Sequence, residues 1–226
     1  RRDVDRRDDD ESAVYALDLD GDGDVDVLAA SPGTPNLWWF QNDGAETFTH
    51  KYVHDSVTSS INANAIAVYA ADVDGDANMD VLSASDRYIR NYDLSWYRND
   101  GAATPSFERK QIYYYKNNGR RAVLALDLDG DGDVDVLDAS ENADTVSWYE
   151  NREEHNWGRE TTSEVTFEAH VVTASADGAF SVEARDLDGD GDVDVLATSR
   201  KDNTVAWYEN LGRVGYTPRV DFAQHL

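Results

Sequence analysis

Aspartate is concentrated in four short segments of the chain, and each has the residue types and spacing of a metal-binding loop. The segment DLDGDGDVDVL occurs three times without change, at residues 18–28, 127–137 and 186–196, and a variant, DVDGDANMDVL, occupies residues 72–82. Two carboxylates about 4 Å apart repel each other by roughly 4 kcal/mol at an effective dielectric constant of 20. Four such segments would oppose folding unless cations neutralise them, which points to metal binding.

The order of the acids within each segment indicates which atoms would hold the cation. Aspartates at positions 1, 3 and 5 alternate with other residues, position 7 offers a backbone carbonyl, and position 9 returns a carboxylate. All-oxygen ligation with several carboxylates in one flexible loop is typical of Ca²⁺, whereas Mg²⁺ keeps more water. We predict up to four Ca²⁺ ions, one in each loop. The predicted ligands are Asp18, Asp20, Asp22, Asp24, Asp26, Asp72, Asp74, Asp76, Asn78, Asp80, Asp127, Asp129, Asp131, Asp133, Asp135, Asp186, Asp188, Asp190, Asp192 and Asp194.

The second segment departs from the other three, and none of the four is an EF-hand. Ala77 stands at position 6, where the others have glycine, and a positive φ there would cost on the order of 1 kcal/mol, so we predict that this site is the weakest. An EF-hand needs a glutamate at position 12 and flanking helices, but that position is Ala29, Ser83, Asp138 or Ala197. Acidic turns that bind no ion remain the alternative.

The acidic segments belong to a unit that is repeated four times. They begin at residues 18, 72, 127 and 186, which gives spacings of 54, 55 and 59 residues. Each is followed by WFQN, WYRN or WYEN, with its tryptophan at Trp39, Trp96, Trp148 or Trp207, and then by a closing segment that begins with phenylalanine, at Phe48, Phe107, Phe167 or Phe222. In the first unit the composition predicts strands at residues 12–18, 25–31, 36–42 and 47–53. The neighbouring aromatic of each tryptophan should point to the opposite face of its strand.

A four-stranded antiparallel unit of about 55 residues that repeats along a chain is typical of a β-propeller blade. We therefore predict an all-β fold, a single β-propeller domain over residues 1–226. Its blades would span approximately residues 5–53, 54–112, 113–172 and 173–226. Two arrangements are open: four blades close a small ring, or they form part of a larger one.

The loop sequence followed by WYEN and a phenylalanine-led strand resembles the FG-GAP/VCBS repeat. This is the calcium-loop blade of integrin α-subunit propellers and of many secreted microbial and algal proteins. The resemblance extends over essentially the whole chain. It implies that each loop joins the first and second strands of a blade and that calcium lies near one rim of the ring. Because the family usually has seven or eight blades, four copies are a departure that bears on ring closure.

Composition excludes several classes of function. A net charge of -26 repels nucleic acid and anionic membranes, so we expect neither as a partner. The chain has no cysteine, which excludes thiolate metal sites and cysteine nucleophiles, and it has no apolar run long enough to insert into a membrane. No serine or histidine has a base at a recognisable spacing, so we predict that the protein is not an enzyme.

The remaining aromatic residues are the candidates for ligand contact. We expect the four repeated tryptophans to pack between blades, whereas Trp38, Trp157 and the tyrosine-rich connectors at residues 88–97 and 112–116 could stack on sugar rings. The leading hypothesis is a calcium-stabilised binding or adhesion module, extracellular or lumenal, with a protein or glycan ligand. The alternatives are a structural subunit of a larger assembly, a homo-oligomer or filament included, and a fragment of a polysaccharide-active enzyme.

Overall fold

The computed structural model describes residues 13–31, 36–45, 47–55, 65–85, 94–113, 119–153, 165–212 and 216–223. Within them the chain forms sixteen strands and no helix. No helix of the described residues is therefore long and apolar enough to cross a membrane. The prediction of an all-β fold built from repeated four-stranded units is confirmed.

The strands form four antiparallel sheets, and in each sheet four consecutive strands pair in chain order. Sheet 1 contains β1 (Ala13–Leu17), β2 (Asp26–Ser31), β3 (Asn36–Asn42) and β4 (Phe48–Asp55). Sheet 2 contains β5 (Ala65–Ala71), β6 (Asp80–Ser85), β7 (Leu94–Asn99) and β8 (Phe107–Tyr113). Sheet 3 contains β9 (Arg120–Leu126), β10 (Asp135–Ser140), β11 (Thr145–Glu153) and β12 (Val165–Thr173). Sheet 4 contains β13 (Ala179–Arg185), β14 (Asp194–Ser199), β15 (Thr204–Asn210) and β16 (Tyr216–Ala223).

The same register recurs in all four sheets, because every second strand begins with DVL and every third strand carries a tryptophan followed by another aromatic residue, although the connection between them is three residues longer in sheet 2. The second strands read DVLAAS, DVLSAS, DVLDAS and DVLATS, and most of their side chains are buried on both faces. Their small residues allow neighbouring layers to approach closely. The leucine of each second strand pairs with the tryptophan of the third: Leu28 with Trp39, Leu82 with Trp96, Leu137 with Trp148, and Leu196 with Trp207.

The chain divides into two compact units, one formed by Arg1–Asp72 with Asp76–Asn117 and the other by Val73–Gly75 with Asn118–Leu226. In the first unit, sheets 1 and 2 share a buried cluster that includes Trp39 and Tyr97. The ring of Trp39 meets that of Phe107 of sheet 2 edge-on, with centroids 6.2 Å apart. This is the packing between sheets that the repeat predicted for Trp39.

Trp38 is not an exposed platform, so that prediction is wrong. Its side chain is 2% exposed and packs against Phe40 and Ala29, and its ring centroid lies 4.2 Å from that of Tyr52. Trp38 and Phe40 occupy the opposite face of β3 from Trp39, as strand alternation requires. The face of sheet 1 that carries Trp38 is thus covered by its own aromatic residues, which leaves the ring of Trp38 unavailable to a sugar.

In the second unit, sheets 3 and 4 share a buried cluster that includes Leu128, Val195 and Tyr208, with Trp148 packed against it. Apolar residues of facing strands therefore hold these two sheets together, as in the first unit. The single-domain assignment and the exact blade boundaries stay predictions.

Sheet 3 also contains a buried charge network on the face opposite Trp148. Arg120 and Asp138 are both fully buried, and the Arg120 guanidinium donates to the Asp138 carboxylate and, at 2.9 Å, to the hydroxyl of Tyr149. The Ser140 hydroxyl donates to the same carboxylate oxygen at 2.7 Å. Burial raises the pKa of Tyr149, which keeps this phenol neutral. The equivalents of Asp138 are Ala29, Ser83 and Ala197, so the other three repeats have no carboxylate at this position to form the ion pair.

Candidate metal-binding loops

Each acidic segment connects the first and second strands of its sheet. We refer to residues 18–26 as loop 1, 72–80 as loop 2, 127–135 as loop 3 and 186–194 as loop 4. The strand before each loop ends one residue before position 1, and the strand after it begins at position 9. The fixed spacing between the loop and the two strands therefore places all four segments at equivalent points of their sheets.

Carboxylate oxygens converge in every loop. In loops 2, 3 and 4 the oxygens that lie within 4.8 Å of one another belong to positions 1, 3 and 9, and in loop 1 to positions 1, 3 and 5. Two ligands of one Ca²⁺ ion, each about 2.4 Å from it, are at most about 4.8 Å apart. These separations fit a single ion in each loop, so the acidic clusters could hold a metal. The converging residues are Asp18, Asp20 and Asp22; Asp72, Asp74 and Asp80; Asp127, Asp129 and Asp135; and Asp186, Asp188 and Asp194.

The position-1 carboxylate shapes the loop by accepting two backbone amides. In loop 1 the amides of Gly21 and Gly23 each donate to Asp18 at 2.8 Å, one to each oxygen. Loops 3 and 4 repeat this arrangement. In loop 2 the donors to Asp72 are instead Asp76 and Ala77, at 3.0 and 2.9 Å. Ala77 has a φ of 69°, so the strained conformation expected for this residue is present.

The position-9 aspartate is buried and fastens the loop to the third strand. Asp26 accepts the amides of Leu19 and Asn42 at 3.2 and 2.7 Å, and the indole Nε1–H of Trp39 at 2.9 Å. Loops 3 and 4 repeat both amide bonds, and loop 2 repeats the one from the third strand. This role was missed in the sequence, although the constant tryptophan and asparagine of the WYEN motif signalled it.

Burial and repulsion both make these carboxylates costly to ionise without a cation. Burial raises the pKa of Asp135 to about 7, although the amides of Asn151 and Leu128 oppose the shift. Burial raises the pKa of Asp26 in the same way. The pKa of Asp129 is raised mainly by burial and, to a smaller extent, by the negative charge of Asp131. A bound divalent cation would lower all three pKa values, because it favours the ionised form.

One buried oxygen tests whether the loops suit calcium. Asp20 Oδ1 is inaccessible to solvent and has no hydrogen-bond partner among the described residues, which would be unfavourable in the absence of a cation. This oxygen belongs to position 3 of loop 1, one of the converging positions. Hard carboxylate oxygens and the lack of nitrogen or sulfur donors in the loop match Ca²⁺. The residues present therefore fit the ion that the sequence predicts.

Position 7 contacts the hairpin turn that follows the third strand. A side-chain carbon at Gly101 would lie 2.6 Å from Nδ2 of Asn78, so the turn needs glycine to let the loop approach. The position-7 amides donate to the position-5 carboxylates, as Asp24 does to Asp22 at 2.9 Å. The participation of position-7 carbonyls in metal binding stays a prediction.

A third-strand residue reaches back to the loop in sheets 1 and 2, and its identity changes from sheet to sheet. It precedes the asparagine of the WFQN, WYRN or WYEN motif. The Gln41 side-chain amide donates to Asp20, and the Arg98 guanidinium lies 3.4 Å from Asp76 Oδ2. In sheet 3 the charge of Glu150 adds to the elevation of the Asp129 pKa. The third residue of the motif, which is Gln, Arg or Glu, shows this variation in the sequence, but we did not predict that this residue contacts the loop.

The asparagine of the same motif joins adjacent sheets within each unit. Asn99 Nδ2 donates to the carbonyls of Met79 in its own loop and Leu19 in sheet 1, at 3.0 and 3.2 Å. In the second unit Asn210 Nδ2 does the same to Val193 and to Leu128 of sheet 3. The candidate metal loops are therefore directly connected to the packing of the sheets.

A further group of possible metal ligands lies on the surface of sheet 3. Oxygen or nitrogen atoms of Glu150, Glu168 and His170 lie within 4.8 Å of one another. Arg152 forms ion pairs with both glutamates, and His170 Nε2 lies 2.8 Å from Glu150. This group already has its own cation, so a network of side-chain ion pairs describes it better. Trp157 and most of the tyrosine-rich connectors lie outside the described residues.

Comparisons with known proteins give a family and a fold. The FG-GAP-like repeat family matches three overlapping segments, residues 18–83, 78–137 and 127–197. A search of curated proteins found no match. Among solved structures, an Agrocybe aegerita lectin described as specific for non-reducing terminal N-acetylglucosamine is 18% identical, with a TM-score of 0.56. The match covers 92% of this chain and 52% of the lectin chain.

The V. cholerae biofilm matrix protein Bap1 is 17% identical, with a TM-score of 0.41 and coverage of 92% of this chain and 38% of Bap1. This chain thus spans about half of the lectin and less than half of Bap1. At these identities the likeness to the lectin concerns the fold alone.

Proposed function

Because the chain belongs to the FG-GAP-like repeat family, we propose that it is a calcium-stabilised, non-enzymatic binding or adhesion module that acts outside the cell or in a lumenal compartment. Its ligand is a glycan or a protein. The observation that carries this proposal is the convergence of three carboxylates in every one of the four loops.

In this proposal calcium is structural, and it would supply positive charge where each loop meets two strands. The carboxylates at positions 1, 3, 5 and 9 would hold the ion. Position 1 also orders the loop through its two amides, and position 9 ties it to the third strand, as Asp26 does to Asn42. Ion binding and sheet packing are thereby coupled, so that the sheets present rigid connectors for contact with a ligand.

The extracellular or lumenal setting rests on the affinity expected of such loops. Calcium sites of extracellular modules bind with dissociation constants of about 10⁻⁴ to 10⁻³ M, whereas cytosolic sensors bind at least tenfold more tightly. The loops here lack the bidentate glutamate of the tight EF-hand sites. Millimolar calcium would fill them, and submicromolar cytosolic calcium would not.

A glycan is the first ligand to test, because the lectin with a similar fold is described as recognising terminal N-acetylglucosamine. The purified protein is applied to a glycan array in 1 mM CaCl₂ and again in excess chelator, beside a variant carrying Asp127→Asn and Asp186→Asn. We expect binding in calcium that is lost in chelator and weakened in the variant. Binding that is unchanged in chelator would contradict the calcium dependence, and release of reducing ends from a polysaccharide would contradict the non-enzymatic role.

A second candidate function is that of a structural subunit that assembles through sheet 4. Leu187 of loop 4 is 40% exposed, whereas its equivalents Leu19 of loop 1 and Leu128 of loop 3 are 2% and 1% exposed because an adjacent sheet covers them. Phe180 and Val205, on strands of sheet 4, are also exposed. Light scattering during size-exclusion chromatography would show an oligomer for this role. A monomer at high protein concentration would count against it.

A further inference from the structure

The four loops share one ligand sequence, with changes in loop 2, but they face different residues on the third strand. Gln41 faces loop 1 and donates to Asp20, whereas Arg98 faces loop 2, with its guanidinium 3.4 Å from Asp76 Oδ2. We propose that Arg98 is a built-in counter-cation of loop 2, and that this loop consequently binds Ca²⁺ more weakly than the other three. The inference rests on the proposed calcium-binding function and assigns one residue the control of one site.

The charges around each loop support this ranking. Loop 1 has five aspartates and the neutral Gln41, which gives a local charge of −5. Loop 2 has four aspartates, because Asn78 replaces the fifth, and Arg98 reduces its local charge to −3. Calcium affinity in oxygen sites depends on the number of charged ligands. Near loop 3 the negative charge of Glu150 is partly offset by its pairing with Arg152 and His170. Loop 1 is therefore the simpler loop with which to compare the local charge of loop 2.

The hydrogen bonds of Asp76 point in the same direction. Its Oδ1 accepts both the backbone and the side-chain amide of Asn78, each at 2.9 Å, and its Oδ2 faces Arg98 at 3.4 Å. Both oxygens are thus already opposed by donors, and an ion that used Asp76 would have to displace one of them. The equivalent Asp22 of loop 1 accepts the backbone amide of Asp24 through Oδ1.

Arg98 can be displaced, because its side chain is 43% exposed and its ion pair is not sequestered from water. A Ca²⁺ ion and the unit positive charge of Arg98, if they were about 6 Å apart, would repel each other. At a dielectric constant close to that of water, this repulsion would raise the dissociation constant of the ion roughly tenfold. Loop 2 would therefore fill only after the other loops, and it would respond to calcium over a range in which they are already occupied.

Calcium titration by isothermal calorimetry at low ionic strength tests this assignment on the full chain. We expect a tighter phase for three ions and a weaker phase for one, and we expect Asp74→Asn to abolish only the weaker phase. Arg98→Gln should tighten the weaker phase by about tenfold. The reciprocal change Gln41→Arg should move one ion from the tighter to the weaker phase.

Lys110→Gln is the matched control, because it removes one positive charge from the same half-exposed sheet surface at a residue that pairs with Glu108 rather than with a loop. It should change the weaker phase by less than twofold. High salt should reduce the difference between the wild type and Arg98→Gln, because exposed charges are screened.

The inference on Arg98 is overturned if four ions bind with equal affinity, if Arg98→Gln leaves the weaker phase unchanged, or if Asp74→Asn removes a tighter phase. Those results would leave the proposed calcium function standing, since ions still bind. A protein that binds no calcium would overturn both.

Discussion

Replacement of the buried position-9 aspartate should destabilise the protein even without metal, and loop 4 offers a test. Asp194 is fully buried, and its carboxylate accepts the amides of Asn210 at 2.8 Å and Leu187 at 3.0 Å. Asp194→Ala would leave two backbone donors without an acceptor. A buried orphaned donor, here the Asn210 amide, costs about 1–3 kcal/mol, and the partly exposed Leu187 amide adds less because water can reach it, so the expected loss is about 1–4 kcal/mol.

The matched control is Asp188→Ala, because both aspartates belong to the same converging cluster and both changes relieve the same kind of repulsion. Asp188 accepts the amide of Asp190 at 3.1 Å in an exposed position, where water replaces the lost acceptor. Urea unfolding in excess chelator, followed by tryptophan fluorescence, compares the two variants without a contribution from calcium. The difference in the free energy of unfolding between the two variants reports the loss of the hydrogen bonds from the Asn210 and Leu187 amides.

We expect Asp194→Ala to unfold at a clearly lower urea concentration than Asp188→Ala, with a free energy of unfolding lower by about 1–4 kcal/mol. In calcium both variants should lose stability relative to the wild type, because both lose a proposed ligand. Equal stability of the two variants in chelator, within about 0.5 kcal/mol, would refute the structural role assigned to position 9.

Three further outcomes follow from the described contacts. Asn210→Ala removes the donor that joins sheets 3 and 4 and should lower the free energy of unfolding by about 1–3 kcal/mol, measured in urea. Arg120→Met should lower the free energy of unfolding by about 3–5 kcal/mol, because it leaves the buried carboxylate of Asp138 without a counter-charge. Thermal melts should show most of this loss recovered in the double variant Arg120→Met/Asp138→Leu. The hydrogen bond from Lys201 lowers the pKa of Asp144. The contribution of this hydrogen bond to stability is therefore complete above the unfolded pKa of 3.8 and is lost as the pH falls through the folded pKa. Asp144→Asn should flatten the acid limb of a profile of unfolding free energy against pH, and an unchanged limb would contradict this.

The strand order and loop positions could be predicted because the repeat determines them locally. In sheet 1 the predicted third strand matches β3 in both bounds, and the others lie within two residues of β1, β2 and β4. The positive φ at Ala77 was also predictable, since glycine occupies the same position in the other three copies. In each case four aligned copies provide the information that one copy lacks.

The features that the sequence did not reveal depend on which residues pack against each face of a sheet. Trp38 is outside the repeat pattern, and only the packing of Tyr52 and Phe40 shows that it is buried. The position-9 aspartates have the same residue type as the other loop acids, but their burial and their amide donors distinguish them. Which third-strand side chain reaches the loop depends on strand register, which the motif alone does not specify.

The most direct test of the central claim is the melting temperature of the protein in excess chelator and in 1 mM CaCl₂, measured by calorimetry. Three sites with dissociation constants of about 0.1 mM would together stabilise the folded state by about 4 kcal/mol at that concentration. For a chain of this length the corresponding increase in melting temperature is about 8–16 °C. An increase of that order, absent with MgCl₂, is the predicted result. Melting temperatures within one or two degrees of each other would contradict the account.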